Sequence, residues 1–454
     1  MHLFDWLRPA PFTEEIQDKA LVKSQYKYWR IRTFYGMYIG YAFYYFTRKS
    51  FTFAIPSMLD YGFTLSELGV LGTILSIIYG FSKFISGIFG DRANPRYFMS
   101  VGLILTGFCN ICFGLSSMWA LLALFCGLNA WFQGWGWPGC AKLLTHWYSQ
   151  SERGTWWSLW NTSHNVGGAI IPLLAAFCVQ CYGWRFAMFI PGIICILIGF
   201  FLMNRLRDIP QSLGLPPIEK FRGEVCQSAL KDETKNALPI RELLFKYVLS
   251  NKYIWIMAFA YFFIYIIRTG FNDWCMVYLI KFKGYSDMKA AACILCFEIG
   301  GFLGSLFAGW SSDKLFDGKR NPVNVLFALG ATVMLLAMHW NGMNVPFLDG
   351  TIIFFIGFFI FGPQMLIGMV AAELTHKKAA ATSSGFAGCF AYIGAAMAGG
   401  PLGSLISSWG WDGFFAILCG CGILSIALMS PLWSIKTSPE TALQEDENTA
   451  EEKI

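Results

Sequence analysis

Long apolar stretches separated by short polar turns run through most of the chain. A window of about 20 apolar residues is long enough to cross a bilayer as a helix. Such windows predict helices over 33–58, 66–89, 98–117, 119–144, 155–181 and 185–204. Six more follow over 253–280, 288–312, 323–341, 347–374, 380–407 and 412–434. A polar stretch with Pro216, Pro217 and many charges lies between the two sets. The pattern predicts an all-α membrane protein with about 12 transmembrane helices in two six-helix halves. The expected organisation is a cytoplasmic segment (1–32), an N-terminal six-helix bundle (33–204), a cytoplasmic central loop (205–252), a C-terminal six-helix bundle (253–434) and a disordered cytoplasmic tail (435–454).

Composition agrees with a lipid environment. Of the 454 residues, 56% are hydrophobic and only 14% charged, where soluble domains carry about a quarter. The net charge of +6 does not point to nucleic acid, because the basic residues sit in short loops beside apolar runs. One set of loops holds Arg92 and Arg96, Arg153, the 205–252 stretch, Lys314, Lys319 and Arg320, and Lys377 and Lys378. The other set is nearly free of them, apart from Arg185 and the region from Lys281 to Lys289. The positive-inside rule puts both termini and the long loop in the cytoplasm. No cleavable signal peptide precedes the first span. The scattered cysteines, including Cys178 and Cys181 in CxxC spacing, read as small apolar residues, and neither a metal nor a cofactor is expected.

The two sets of helices look like copies. Tyr41, Tyr45 and Arg48 share their spacing with Tyr261, Tyr265 and Arg268, each residue 220 positions later. Gly87-x3-Asp91-Arg92 matches Gly309-x3-Asp313-Lys314 at an offset of 222 (91 to 313). Pro138 matches Pro363 at 225, and Gly183-Trp184 matches Gly410-Trp411 at 227. The offsets rise slowly and never reverse, as in a duplication with small insertions. Parallel repeats of this kind are a transporter architecture with its site between the halves.

The repeated arginines carry the chemistry. Spacing i, i+4, i+7 puts each Tyr-Tyr-Arg set on one helical face. An arginine in the apolar slab costs about 3 kcal/mol on insertion scales, and such residues mark function by default. In helices 1, 2, 7 and 8, Arg48, Lys49, Lys83 and Arg268 stand against Asp273 and Glu298, a balance of 4 − 2 = +2. A phosphate carries about −1.5 to −2 charges near neutral pH, and guanidinium forks match its oxygens. Lys49 could instead pair with Asp273 or Glu298 as a charge network. Lys83 shares a face with Tyr79 and reads equally well as a ligand or as a lysine reaching for the interface. Trp157, Trp160 or Asn161, and His164 form one stripe on the fifth helix, and histidine titrates where phosphate does. Gly87, Asp91, Arg92 and Asp313 read as a conformational latch. Trp137 and Tyr392 are weaker candidates for the site.

The chain resembles the organophosphate:phosphate antiporters of the major facilitator superfamily from about residue 26 to 434. The likeness is carried by YFTRKSF (45–51), YGFSKFISGIFGDRANPRYF (79–98), GWGWPGCAKLLTHWYSQSERG (134–154), LWNTSHNVGGA (159–169) and LRDIPQSLGLPPIE (206–219). YIIRTGFNDW (265–274), FGPQMLIGMVAAELTHKKAAATSSGF (361–386) and GWDGFF (410–415) carry it in the second half. The resemblance implies the major facilitator fold. It puts phosphate-binding arginines at Arg48 and Arg268, a substrate-linked histidine at His164 and a pore lysine at Lys83. Supporting aromatics fall on Tyr41, Tyr45, Tyr79, Trp137, Trp160, Tyr265 and Tyr392. Two departures concern the sugar: 382–407 has no charged residue where some hexose-phosphate carriers have an acid–lysine pair, and Phe361 replaces a tyrosine of glycerol-phosphate carriers. The implied function is exchange of a sugar phosphate, glucose 6-phosphate foremost, for inorganic phosphate by alternating access. It needs no enzymatic step. The expected setting is a monomer in the bacterial cytoplasmic (inner) membrane. The alternative is a membrane sensor of external glucose 6-phosphate that signals to a histidine kinase.

Overall fold

The computed structural model describes residues 7–63, 65–224, 239, 241, 243–285, 287–375 and 379–434. The expected tail, and His376 with Lys377 and Lys378, lie outside the described residues. Among the described residues there is no strand. The main helices are α1 (Lys19–Asp60), α2 (Leu65–Arg92), α3 (Pro95–Leu115), α4 (Trp119–Gln133), α5 (Gly136–Trp147), α6 (Gln150–Asn161), α7 (Ser163–Tyr182) and α8 (Phe186–Arg205). After a short α9 (Ile218–Arg222) come α10 (Lys252–Val277), α11 (Asp287–Lys314), α12 (Asn321–Trp340), α13 (Pro346–Glu373), α14 (Ala380–Met397) and α15 (Gly400–Met429). Pro95 and Pro346 open α3 and α13, where the missing N–H would have had no helical partner. Asn94 and Asn251 cap α3 and α10 by accepting from the backbone N–H two residues on, each at 3.0 Å.

Among the described residues, nine helical stretches are long and apolar enough to cross a membrane. Over the three other predicted windows the helices start or break elsewhere than the pattern predicts. The fourth, 119–144, breaks after Gln133. Gly134 lies so close to Ser82 that a side chain would collide with it. Hydroxyls from α2 take up carbonyls at the break: Ser82 donates to Trp131, and Ser86 donates to Gly134 at 2.8 Å. The fifth window, 155–181, starts earlier at Gln150 and is interrupted at Thr162, whose hydroxyl donates to the Leu159 carbonyl at 2.7 Å. The first window belongs to a helix that starts at Lys19, well ahead of its apolar part. Val22 and Tyr26 on that extension are buried. Near the end of the chain, Gly410 at φ 66° divides α15 in two, close to the boundary the pattern predicts.

The chain forms two compact units. Unit 1 comprises 1–149, 163–248 and 376–385; unit 2 comprises 150–162, 249–375 and 386–454. Each therefore takes one segment from the other half of the sequence.

In unit 1, α1 packs against α7 and α8, and α3 against α4 and α8. One apolar cluster joins Phe51, Met58, Phe113, Leu122, Trp184 and Met188. The extension of α1 rests on the first part of the central loop. Tyr26 stacks on Phe221 at 4.1 Å between ring centroids and donates to the Pro216 carbonyl. The segment ahead of α1 joins the same platform, with Ala10 N donating to Asp208 at 2.9 Å and Ile16 N to the Gly214 carbonyl at 2.8 Å. Asp208 also pairs with the buried Lys142 at 3.3 Å.

In unit 2, α11 lies directly on α13. A methyl group at Gly300 or Gly304 would overlap the carbonyls of Phe354 or Phe358, so only glycine permits this approach. Beyond α10, Lys283 pairs with Asp349 at 3.1 Å, and Tyr285 donates to the other Asp349 oxygen at 2.5 Å. Burial, and then that hydrogen bond, raise the Tyr285 pKa.

Candidate substrate site

Seven of the expected binding residues lie in unit 1. Tyr41, Tyr45 and Arg48 come from α1, Tyr79 and Lys83 from α2, Trp137 from α5 and His164 from α7. The helical spacing brings Tyr45 and Arg48 together as expected: the guanidinium carbon lies 4.5 Å from the Tyr45 ring centroid. The Tyr79 ring centroid lies 4.2 Å from the same carbon. Two aromatic faces and the Nε bond to Gln133, at 3.3 Å, hold a guanidinium that is only 8% exposed. Each cation–π contact contributes about 0.5–2 kcal/mol, more as water is excluded. His164 lies beside Tyr45, with ring centroids 5.6 Å apart.

Lys83 is 2% exposed, with its ammonium 4.3 Å from the Trp137 ring centroid. A lysine reaching for the interface would carry its head into water, and this one is buried instead. Trp137 in turn donates to Ser384 at 2.8 Å and lies 6.0 Å from the Tyr41 ring.

Unit 2 holds the other five. Trp160 and Asn161 are buried on α6, and Trp160 makes an edge contact with Trp157 at 6.1 Å. Arg268 on α10 lies 5.7 Å from the Tyr265 ring and 5.0 Å from the Phe361 ring. Tyr265 in turn faces Tyr261 at 4.9 Å and Tyr392 at 5.7 Å. The position where phenylalanine replaces a tyrosine is thus one that touches an arginine. The proposed charge network of Lys49, Asp273 and Glu298 consists of exposed side chains.

The latch residues have definite partners. Asp91, at the end of α2, accepts from Ala381 N at 2.8 Å, Thr382 N at 2.7 Å and Thr382 Oγ1 at 2.6 Å. These groups open α14, and a carboxylate there complements the helix dipole. Gly87 on the same helix lets α2 approach the Ala381 carbonyl, which a methyl group would meet at 2.6 Å. Asp313, at the end of α11, makes a matching set of bonds within α6, accepting from Gly154 N at 3.2 Å, Thr155 N at 2.6 Å and Thr155 Oγ1 at 2.7 Å. Arg92 is half-buried.

Several functional partners escaped the sequence reading. Thr155 and Thr382 are themselves a repeat, 227 positions apart, the offset already seen at Gly183-Trp184. That signal was available. Arg153 and Arg320 read as loop charges setting orientation, yet both are buried. Arg320 binds Asp313 and places its Nε 3.3 Å from Glu373, and Arg153 pairs with Glu373 at 3.1 Å. Burial alone would lower the Arg320 pKa, but Glu373 and Asp313 outweigh it and raise it. No local pattern distinguishes such residues from solvated ones. Gln133 likewise lies in an apolar run with no periodic partner.

Known proteins resemble this chain along nearly its whole length. It is 56% identical to a "Probable hexose phosphate transport protein" of Chlamydia trachomatis over 94% of this chain and 96% of that protein. Identity to the "Membrane sensor protein UhpC" of Escherichia coli is 47%, covering 93% and 96%. To the "Hexose-6-phosphate:phosphate antiporter" of Salmonella typhimurium it is 33%, covering 88% and 89%. The fold matches the solved proton:xylose symporter XylE with a TM-score of 0.69 over 91% of this chain and 97% of that one, at 12% identity. With residues 37–399 matching its pattern, the chain belongs to the Major Facilitator Superfamily, and within it to the organophosphate:phosphate antiporter family.

Proposed function

We propose that the protein exchanges a sugar phosphate, glucose 6-phosphate foremost, for inorganic phosphate by alternating access. It would act as a monomer in the bacterial cytoplasmic membrane, with both termini inside. The observation that carries the reading is the setting of Arg48, a buried arginine whose guanidinium lies over the rings of Tyr45 and Tyr79 with its Nε on Gln133. A planar fork fixed in this way suits the tetrahedral oxygens of a phosphoryl group. Arg268 is the second candidate contact to that group, and Lys83 and His164 are further polar contacts. The names of the relatives support the sugar and the counter-substrate.

Exchange follows from charge. With substrate bound, a phosphoryl dianion offsets the two arginines. Without it, like charges in a low-dielectric site oppose closure. The occupied carrier therefore changes state more readily than the empty one. Ligand can drive this only by binding the intermediate state more tightly than the open ones.

The test is reconstitution. Proteoliposomes loaded with labelled phosphate should release it when glucose 6-phosphate or phosphate is added outside, and hold it otherwise. The similarity to UhpC favours a second reading, in which the protein senses external sugar phosphate and signals to a histidine kinase. Binding of glucose 6-phosphate without any phosphate release would favour that reading. Neither binding nor release would exclude both.

A further inference from the structure

Arg48 is the end of a chain of amides that crosses unit 1. Its Nε donates to Gln133 Oε1 at 3.3 Å. Gln133 Nε2 donates to Asn129 Oδ1 at 3.3 Å, and also to Thr47 Oγ1 at 2.7 Å. Asn129 Nδ2 donates to Asn110 Oδ1 at 3.4 Å and to the Thr47 carbonyl at 3.1 Å. Asn110 Nδ2 donates to the Met188 carbonyl at 2.8 Å, while its Oδ1 also accepts from Ser50 at 3.3 Å. The relay starts on α1, passes through α4 and α3, and ends on α8. Gln133, Asn129 and Asn110 are all buried.

The two ends fix its direction. A guanidinium only donates, so Gln133 must turn its oxygen toward Arg48. A backbone carbonyl only accepts, so Asn110 must turn its NH2 toward Met188. Asn129 between them then has one orientation that serves both neighbours. No member can flip without breaking a buried bond, at about 1–3 kcal/mol for each group left unsatisfied. Bonds aligned head to tail also polarise one another and place the oxygen-rich end at the arginine. The relay thus sets the plane of the guanidinium and balances part of its charge in an apolar surround.

We propose that Gln133 is a positioning residue for phosphate binding, acting through Arg48 and held in place by Asn129 and Asn110. The inference rests on the exchange reading above. It predicts that the phosphoryl end of any substrate is affected equally, because the relay acts on the arginine and not on the sugar.

The experiment measures phosphate and glucose 6-phosphate binding to purified protein by calorimetry, together with thermal unfolding without ligand. Gln133→Leu should weaken both ligands by about ten- to a hundredfold, the range for a hydrogen bond to a charged group. In exchange assays the KM should rise by a similar factor while the maximal rate changes less. Asn110→Leu, remote from Arg48, should weaken both ligands several-fold in the same ratio. Gln133→Met serves where Gln133→Leu does not accumulate in the membrane. A relay that only stabilised the fold would lower the unfolding midpoint and leave both affinities unchanged, which would overturn the proposal. Wild-type protein that binds neither ligand sinks the exchange reading and the positioning role with it. Wild-type binding matched by Gln133→Leu sinks the positioning role alone.

Discussion

Arg48 and Arg268 occupy equivalent places in the repeat but meet different neighbours. Arg48 has two aromatic faces and an amide oxygen. Arg268 lies near the rings of Tyr265 and Phe361. Arg48→Lys keeps the charge but loses the planar fork and the Nε donor to Gln133. Exchange by that variant should fall at least tenfold while the protein still inserts and accumulates. Near wild-type phosphate exchange by Arg48→Lys in proteoliposomes would end the two-arginine reading. Lys83 is a different kind of cation. It is a buried point charge over Trp137, proposed above as a further contact to the phosphoryl group. Lys83→Met should therefore raise the KM for phosphate more than it lowers the maximal rate, and an unchanged KM would return Lys83 to a packing role.

Helices in this protein are shaped by small residues and by hydroxyls that take up backbone groups. The break between α4 and α5 places Gln133 and Trp137 on separate helices while Ser82 and Ser86 cover the freed carbonyls. The contact of α11 with α13 depends on glycine in another way, through closeness of the two backbones. In Gly304→Ala the added methyl meets the Phe358 carbonyl, so the helices must separate. Overpacking of this kind costs about 1–3 kcal/mol. The unfolding midpoint in detergent should drop measurably, and an unchanged midpoint would show that the contact yields without cost. The aspartates ending α2 and α11 make the same kinds of bond, to the first turn of α14 and to Gly154 and Thr155 within α6. The apolar pattern alone located these helices, but their breaks and caps depend on partners distant in sequence.

Across the molecule, charge is handled in two ways. In unit 2, Arg153, Arg320, Asp313 and Glu373 balance one another in a buried network. Glu373→Gln leaves two arginines facing one carboxylate. Breaking such a network by removing one partner costs about 3–5 kcal/mol, so the variant should lose stability sharply in thermal unfolding. Joint replacement of Glu373 and Arg153 should recover part of it, and equal stability of the single variant and wild type would argue against the network. The proposed role of Arg48, Lys83 and Arg268 is the opposite case, cations offered to a ligand. The sequence by itself determined the helical class, the duplication and the two arginines. Apolar windows, rising offsets and rare intramembrane charges are properties of the chain read in order. Only the tertiary structure decided that Arg153 and Arg320 are buried partners and that Gln133, Asn129 and Asn110 form one directed relay. The reason is physical: a hydrogen bond or ion pair joins atoms within about 3–4 Å wherever they lie in the chain, and no periodicity along one helix records a partner on another.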